Sequence, residues 1–162
     1  MAKKNSAGTP ATAALALLGI AFTPHSYEHQ PGAAGYGREA AEALAVDGNQ
    51  VFKTLLADAD GMLVVAIVPV TGVLDLKALA SAVGAKRAAM ADPALAERKT
   101  GYVVGGISPV GQKTRLRTIL DESAAGFATV FVSGGRRGFD IELNPADLLA
   151  VTGGSLAAIS RR

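Results

Sequence analysis

The chain of 162 residues contains no cysteine and no tryptophan, only two histidines, and just 5% aromatic residues. Each scarcity removes a class of protein. Without cysteine there is no disulfide scaffold, no thiol nucleophile, no thiolate zinc site and no iron–sulfur cluster. Two histidines, His25 and His29, leave little for a metal site. Long apolar runs are missing as well: Met62 to Val70 is much too short to span a bilayer. The opening Met1-Ala-Lys-Lys has the charge of a signal peptide. The apolar run behind it is short, and Pro10 opens it where a cleavage site should close it. The expectation is a soluble cytoplasmic protein with no membrane segment.

A dominant charge is also lacking. Lys plus Arg number 16 against 14 Asp plus Glu. Setting aside Lys3, Lys4, Arg161 and Arg162 at the two ends leaves 12 basic against 14 acidic residues, a net −2. The body is not the strongly basic domain expected of a general nucleic-acid binder. What is present is apolar: 49% hydrophobic residues, too many for a disordered chain and enough for one sizeable core. Residues 1–8 are small and polar and read as a disordered extension, leaving a single domain over 9–162.

A cap followed by proline occurs three times, at Thr9-Pro10, Asp92-Pro93 and Asn144-Pro145, and each pair opens a helix. Ala11, Ala14, Leu15 and Leu18 follow the first with helical spacing, and Gly19 closes it. Further helices are expected from Leu74 to Val83 and from Arg38 to Leu44. Strands are expected over Phe22–Tyr27, Val51–Leu56, Met62–Val70, Phe127–Val132, Phe139–Leu143 and Ser155–Ser160. Asp58 to Gly61 and Ser133 to Gly138 read as turns. The order lacks a steady βαβ beat, which favours an α+β fold with a mixed, largely antiparallel, curled sheet.

Four segments carry chemistry-bearing residues. Thr100 to Lys113 is glycine-rich, so its N–H groups can approach a ligand closely, yet its spacing fits neither a dinucleotide fingerprint nor a P-loop. On glycine content alone a tight turn is the commoner case. Lys53, inside the apolar Val51 to Leu56, either faces an anionic ligand or sits on the solvent face. Ser133-Gly-Gly-Arg-Arg-Gly138 suits phosphate, or is a hairpin loop with solvated charges. Asp140 and Glu142 project away from Phe139, Ile141 and Leu143. In His25-Ser-Tyr-Glu-His29 the two histidines would lie roughly 13 Å apart on a strand, too far to share an ion. No metal or cofactor is expected.

Taken in order, these segments resemble the YbaK/EbsC-type family of aminoacyl-tRNA editing proteins, and its YbaK-like Cys-tRNA(Pro) deacylase branch in particular. The resemblance rests on Thr9-Pro10-Ala11, His25 to His29, Val51 to Leu56, Leu74 to Lys77, Met90 to Pro93, Thr100-Gly-Tyr-Val-Val-Gly-Gly-Ile-Ser-Pro109 with Gly111-Gln-Lys113, and Phe131 to Gly138 with Asp140 to Leu143. It implies the open, barrel-like sheet of the prolyl-tRNA synthetase editing domain. It also implies removal of a wrongly attached amino acid from tRNA in trans. The family's functional lysine falls on Lys53 and its loop glycine on Gly105. Pocket positions match Tyr27, Phe52, Tyr102, Ser133 and Asp140. Ser26, Arg136 and Phe139 stand where Thr, Lys and Leu are common.

On that resemblance, the Gly105 and Gly106 N–H groups would face the ester carbonyl as charge develops on it. The substrate cysteine's own thiol would attack that carbonyl. Lys113, Arg115, Arg136 and Arg137 would touch tRNA, and a prolyl-tRNA synthetase could supply further selectivity. The alternatives are an Ala- or Ser-tRNA deacylase that uses activated water, and a non-catalytic tRNA- or synthetase-binding module.

Overall fold

The computed structural model describes residues 8–28 and 36–162. His29 and the extension before Gly8 lie outside the described residues. The first helix, α1 (Pro10–Leu17), starts where the cap predicts. Thr12 N–H donates to Thr9 Oγ1 (3.2 Å), and Thr9 N–H donates back to Thr12 Oγ1 (3.1 Å). The Thr9 hydroxyl also donates to Gly134 O at 2.6 Å, 125 residues away. The cap thus pins α1 to the sheet hairpin that carries Ser133 and Asp140. Ala11 and Leu15 are buried as expected, but Leu18 is 61% exposed. It caps a helix too short to present it inward, and Ile20 packs on the core instead.

Strand β1 (Thr23–Ser26) is followed by α2 (Tyr36–Leu44). Then β2 (Phe52–Ala59) and β3 (Met62–Pro69) form an antiparallel hairpin turning at Asp60-Gly61. After β4 (Val73–Leu74), Asp75 caps α3 (Leu76–Ala82), so Leu74 belongs to a strand rather than to the expected helix. Next come β5 (Ala88–Met90), α4 (Pro93–Thr100) and β6 (Arg117–Asp121). The chain ends with β7 (Val130–Arg136), β8 (Phe139–Leu143), α5 (Pro145–Thr152), β9 (Ser155–Ala157) and β10 (Ser160–Arg161).

A five-stranded sheet runs β5-β2-β3-β6-β9, and a three-stranded one runs β1-β8-β7. β4 and β10 make a small third pair. Among the strand ladders of the described residues only β3–β6 and β6–β9 are parallel, so the fold is α+β, mixed and largely antiparallel, with open sheets. The apolar run of β3 is explained by burial of both its faces. Val65 and Ile67 join α1, α5 and the β7–β8 hairpin in one core. Val64, Ala66 and Val68 pack with Leu79 of α3 and with Ile159 in the other. Among the described residues, no helix is long and apolar enough to cross a membrane.

Three expected boundaries move. The strand expected from Phe127 begins at Val130, because Glu122–Gly126 forms a 3-10 turn capped by Asp121, with Phe127 ending it. The turn expected over Ser133–Gly138 is mostly strand: β7 runs through a bulge between Ser133 and Arg136, and only Arg137-Gly138 turns. The final strand is split, because Asp121 accepts the N–H groups of both Ile159 and Ser160 (3.0 Å each) and bends the chain there.

Thr9→Val keeps the side-chain shape but removes both the cap and the link to Gly134. It should lower stability by about 1–3 kcal/mol, read as a reduced urea midpoint with an unchanged m-value.

Candidate active site

The ladder between β2 and β5 covers only Ala57 to Ala59. Towards its start, β2 keeps β3 on one side, while the other edge meets the second sheet through a single parallel bridge, Val51 to Phe131. Where β2 parts from β5 a cavity of about 370 Å³ opens. Its walls come from the first half of β2, the β7–β8 hairpin, α2, the start of α4 and the glycine loop between α4 and β6.

Five expected site residues besides Gly105 meet there: Tyr27, Phe52, Lys53, Ser133 and Asp140. Ser133 and Asp140 are direct partners across the β7–β8 ladder, which puts both on the cavity face. Asp140 is 5% exposed, and among the described residues no donor lies within hydrogen-bond reach of its carboxyl. Burial pushes that carboxyl up from its ordinary 3.8 to about 7. Lys53 is half-buried, and no ion pair joins it to Asp140. Burial, and secondarily the Arg38 charge, hold its ammonium below the usual lysine range. Burial raises the Tyr27 phenol well above the usual tyrosine range, and the charges of Asp140 and Glu39 add to this. Ser133 Oγ accepts from Gly135 N–H at 3.2 Å.

The glycine loop contributes backbone. Gly105 lines the cavity at φ +92°, a conformation that side chains other than glycine's rarely adopt, and among the described residues its N–H has no protein acceptor. Gly106 differs from expectation. Its N–H donates to Val103 O at 2.8 Å, so it cannot join Gly105 in facing a ligand. A side chain there would press within 2.7 Å of the Arg136 backbone, so this glycine is needed for close packing of loop on hairpin.

The remaining expected residues lie elsewhere. Tyr102 is buried beneath the loop, where its hydroxyl donates to Val110 O at 2.7 Å, and it is not on the cavity wall. Burial raises its phenol to about 12. Arg136 covers the Phe139 ring at 4.5 Å. Arg137 directs Nε and Nη2 to Val104 O at 2.9 and 2.7 Å. Lys113 is exposed. Glu142, expected on the same face as Asp140, is engaged outside the cavity by His25 at 2.9 Å and by Thr129.

Sequence reasoning missed three residues. Thr54 lines the cavity with a buried hydroxyl that has no hydrogen-bond partner among the described residues. Its position beside Lys53 was the only clue. Arg38 lines the cavity from α2. Glu97 accepts from Val104 N–H at 2.8 Å, and nothing in its helical context marked it.

The raised Asp140 carboxyl has a consequence for stability. Its folded pKa lies above its unfolded one, so the favourable contribution is complete below about 3.8 and is lost as pH rises through about 7. Asp140→Asn removes the cost of burying charge. It should therefore stabilise the fold by up to roughly 4 kcal/mol at pH 8, with the gain vanishing near pH 4. Paired thermal melts across that range measure this. A gain that did not depend on pH would contradict the assignment.

Comparison with known proteins gives a consistent result. A family model described as an aminoacyl-tRNA editing domain matches residues 30–151. A protein of Enterococcus faecalis, provisionally named Cys-tRNA(Pro)/Cys-tRNA(Cys) deacylase EbsC, is 40% identical over 123 residues, which are 75% of each chain. Among solved structures, one provisionally named a trans-editing enzyme for prolyl tRNA synthetase matches with TM-score 0.80 and 26% identity, over 94% of this chain and 96% of that one. A hypothetical protein matches with TM-score 0.83 and 22% identity, over 94% of this chain and all of the other, and supports the fold alone. The matched span runs from before α2 through β2, the glycine loop and the β7–β8 hairpin, the segments that wall the cavity, and the chain belongs to the aminoacyl-tRNA editing domain family.

Proposed function

We propose that this aminoacyl-tRNA deacylase removes cysteine from mischarged Cys-tRNA(Pro), using the substrate's own thiol as nucleophile. The observation that carries the reading is the composition of the cavity. It combines two cations, Lys53 and Arg38, a deeply buried carboxyl and a free backbone N–H, with no hydrogen-bonded serine–base or cysteine–base pair among the described lining residues. Ser133 Oγ accepts a backbone N–H, and no hydrogen bond joins it to Asp140, its cross-strand neighbour; Tyr27 holds its proton tightly. The similarity to the E. faecalis relative supports the same substrate class.

Each group has a role in this reading. The Asp140 carboxylate receives the α-ammonium of the bound amino acid, a charge partner that offsets the cost of its burial. The Lys53 ammonium holds the terminal ribose or phosphate. Gly105 N–H donates to the carbonyl oxygen as negative charge develops on it. The substrate thiol has an ordinary pKa of about 8.5, so some thiolate exists near neutrality. The thiolate attacks the ester carbonyl, a C–S bond forms, and the C–O bond to the ribose breaks. The ribose oxygen takes a proton and tRNA departs. The cyclic thiolactone released is opened by water to cysteine. Holding nucleophile and carbonyl in one pocket supplies up to roughly 7–11 kcal/mol in favourable intramolecular cases, less the strain of a four-membered ring.

This chemistry accounts for selectivity that shape cannot give. A pocket separates near-isosteres by only about 1–3 kcal/mol, and serine fits wherever cysteine does. The hydroxyl of serine is far less acidic than a thiol. One observation favours a second route: a carboxyl near pKa 7 suits a general base, so Asp140 could activate water against Ala-tRNA(Pro). For tRNA selection we infer that a prolyl-tRNA synthetase supplies most of the specificity, since Arg136 and Arg137 are engaged within the protein.

Purified protein should cleave Cys-tRNA(Pro) and largely spare Ser- and Ala-tRNA(Pro), with thiolactone trapped by an added amine. Equal cleavage of Cys and Ser substrates would sink the thiol route, and preferential cleavage of Ala-tRNA would favour water. Lys53→Ala should lose about 100-fold or more in kcat/KM while keeping its melting temperature, because the side chain is half-buried and holds up no core contact.

A further inference from the structure

The Gly105 N–H belongs to the same planar peptide as the Val104 carbonyl. In a trans peptide the two point in opposite directions, and no cis bond occurs among the described residues. Whatever grips Val104 O therefore aims Gly105 N–H. Arg137 grips it with two donors of one guanidinium, Nε at 2.9 Å and Nη2 at 2.7 Å. The preceding peptide is held from the other side. Its N–H, on Val104, donates to Glu97 Oε2 at 2.8 Å, and its carbonyl, on Val103, accepts from Gly106 N–H at 2.8 Å. A cation from the β7–β8 turn and an anion from α4 thus fix two successive peptides of the glycine loop. In these two peptides the one polar group left without a protein partner among the described residues is Gly105 N–H, on the cavity wall.

We propose that Arg137 and Glu97 are positioning residues that set the direction of the Gly105 N–H donor, and that Arg137 acts in this way rather than as a tRNA contact. The guanidinium also polarises the Val104–Gly105 peptide, which strengthens the N–H as a donor to developing negative charge. Glu97 completes the device by preventing the Val103–Val104 peptide from rotating when the loop meets a substrate. The role of the N–H in catalysis rests on the deacylase reading above. The orientation of the loop does not, and the two are tested separately.

The experiment compares Arg137→Ala, Arg137→Lys, Glu97→Ala, Glu97→Gln and the double alanine variant. The readouts are kcat and KM for Cys-tRNA(Pro), melting temperature, and amide hydrogen exchange at Gly106, whose bond to Val103 O reports loop order without any substrate. Arg137→Ala should lower kcat by about 10- to 100-fold, the range for a displaced oxyanion donor, with KM within about threefold. Arg137→Lys should recover only part, since a single ammonium cannot reproduce the fork. Glu97→Gln should recover most of the loss seen in Glu97→Ala, because the amide oxygen still accepts from Val104 N–H. The double variant should lose little more than the worse single one, since both hold one device. Gly106 exchange should quicken at least tenfold in both alanine variants, with melting temperatures little changed.

A raised KM with kcat intact, and a salt dependence of binding reduced by about one charge, would make Arg137 a phosphate contact and overturn the proposal. Unchanged Gly106 exchange would overturn it independently. If the unaltered protein cleaved no Cys-tRNA, the deacylase reading would fall, and the exchange data would still decide whether the clamp orients the loop.

Discussion

The architecture turns on one unfilled edge. Strand β2 has a partner on each side only between Ala57 and Ala59, and nearer its start it has β3 alone plus the single Val51–Phe131 bridge. Closing that edge with a longer β5 would pair the backbone of Phe52 to Leu55 but fill the space the cavity occupies. The fold leaves those residues short of ladder bonds and compensates with burial of β3 on both faces and with the α1 cap anchored on Gly134. The open edge is tolerable because loop, hairpin and helix close around it. It is what lets a lysine and a threonine from one strand reach the same space as an aspartate from another sheet.

That space is charged with unmet demand. The Asp140 carboxyl is deeply buried, the Thr54 hydroxyl is buried without a partner among the described residues, and the Lys53 ammonium is partly desolvated. Buried polar groups normally find partners, and leaving one unmet costs about 1–3 kcal/mol, more for a charge. One such hydroxyl, one deeply buried carboxyl and one half-buried ammonium line the same cavity, at a cost to stability. A ligand that brings an ammonium and hydroxyls meets these demands on binding. A ligand lacking them leaves the cost in place, so the same burial that weakens the empty fold sharpens discrimination.

The sequence was informative where local chemistry decides structure. Caps with proline set three helix starts to the residue, and alternation in Phe139 to Leu143 separated core from cavity face. It was less informative where a long-range contact overrides a local signal. Ser133-Gly-Gly-Arg-Arg-Gly138 has turn composition, yet most of it is strand, because the bulge is held by pairing to β8 and by Thr9 from the far end of the chain. β5 has only three residues, and β6 is buried continuously from Thr118 to Asp121, so neither shows an alternation to read. In the site, Lys53 was visible as a polar residue in an apolar strand, while Ser133 and Asp140 followed from the family resemblance. Tyr102 was visible too, but only the fold shows its hydroxyl committed to Val110. Glu97 looks like an ordinary surface charge in sequence and Arg137 like a phosphate contact, and the partners of both are backbone atoms of Val104 that no pattern of residue types marks.

Those last two residues also bear on the modest charge of the chain. A protein that gripped tRNA through its own phosphate contacts would need several free cations on one face, and its affinity would fall steeply with salt. Here the two arginines of the hairpin are turned onto the protein itself, one over the Phe139 ring and one onto Val104 O at the surface. Their charge acts at short range within the protein, and the Arg137 fork polarises the peptide it grips even though both partners are solvent-exposed. A body of net −2 fits that use of charge. On the reading proposed above, its cations orient a donor near the acylated end, and discrimination among tRNA bodies falls to a synthetase partner.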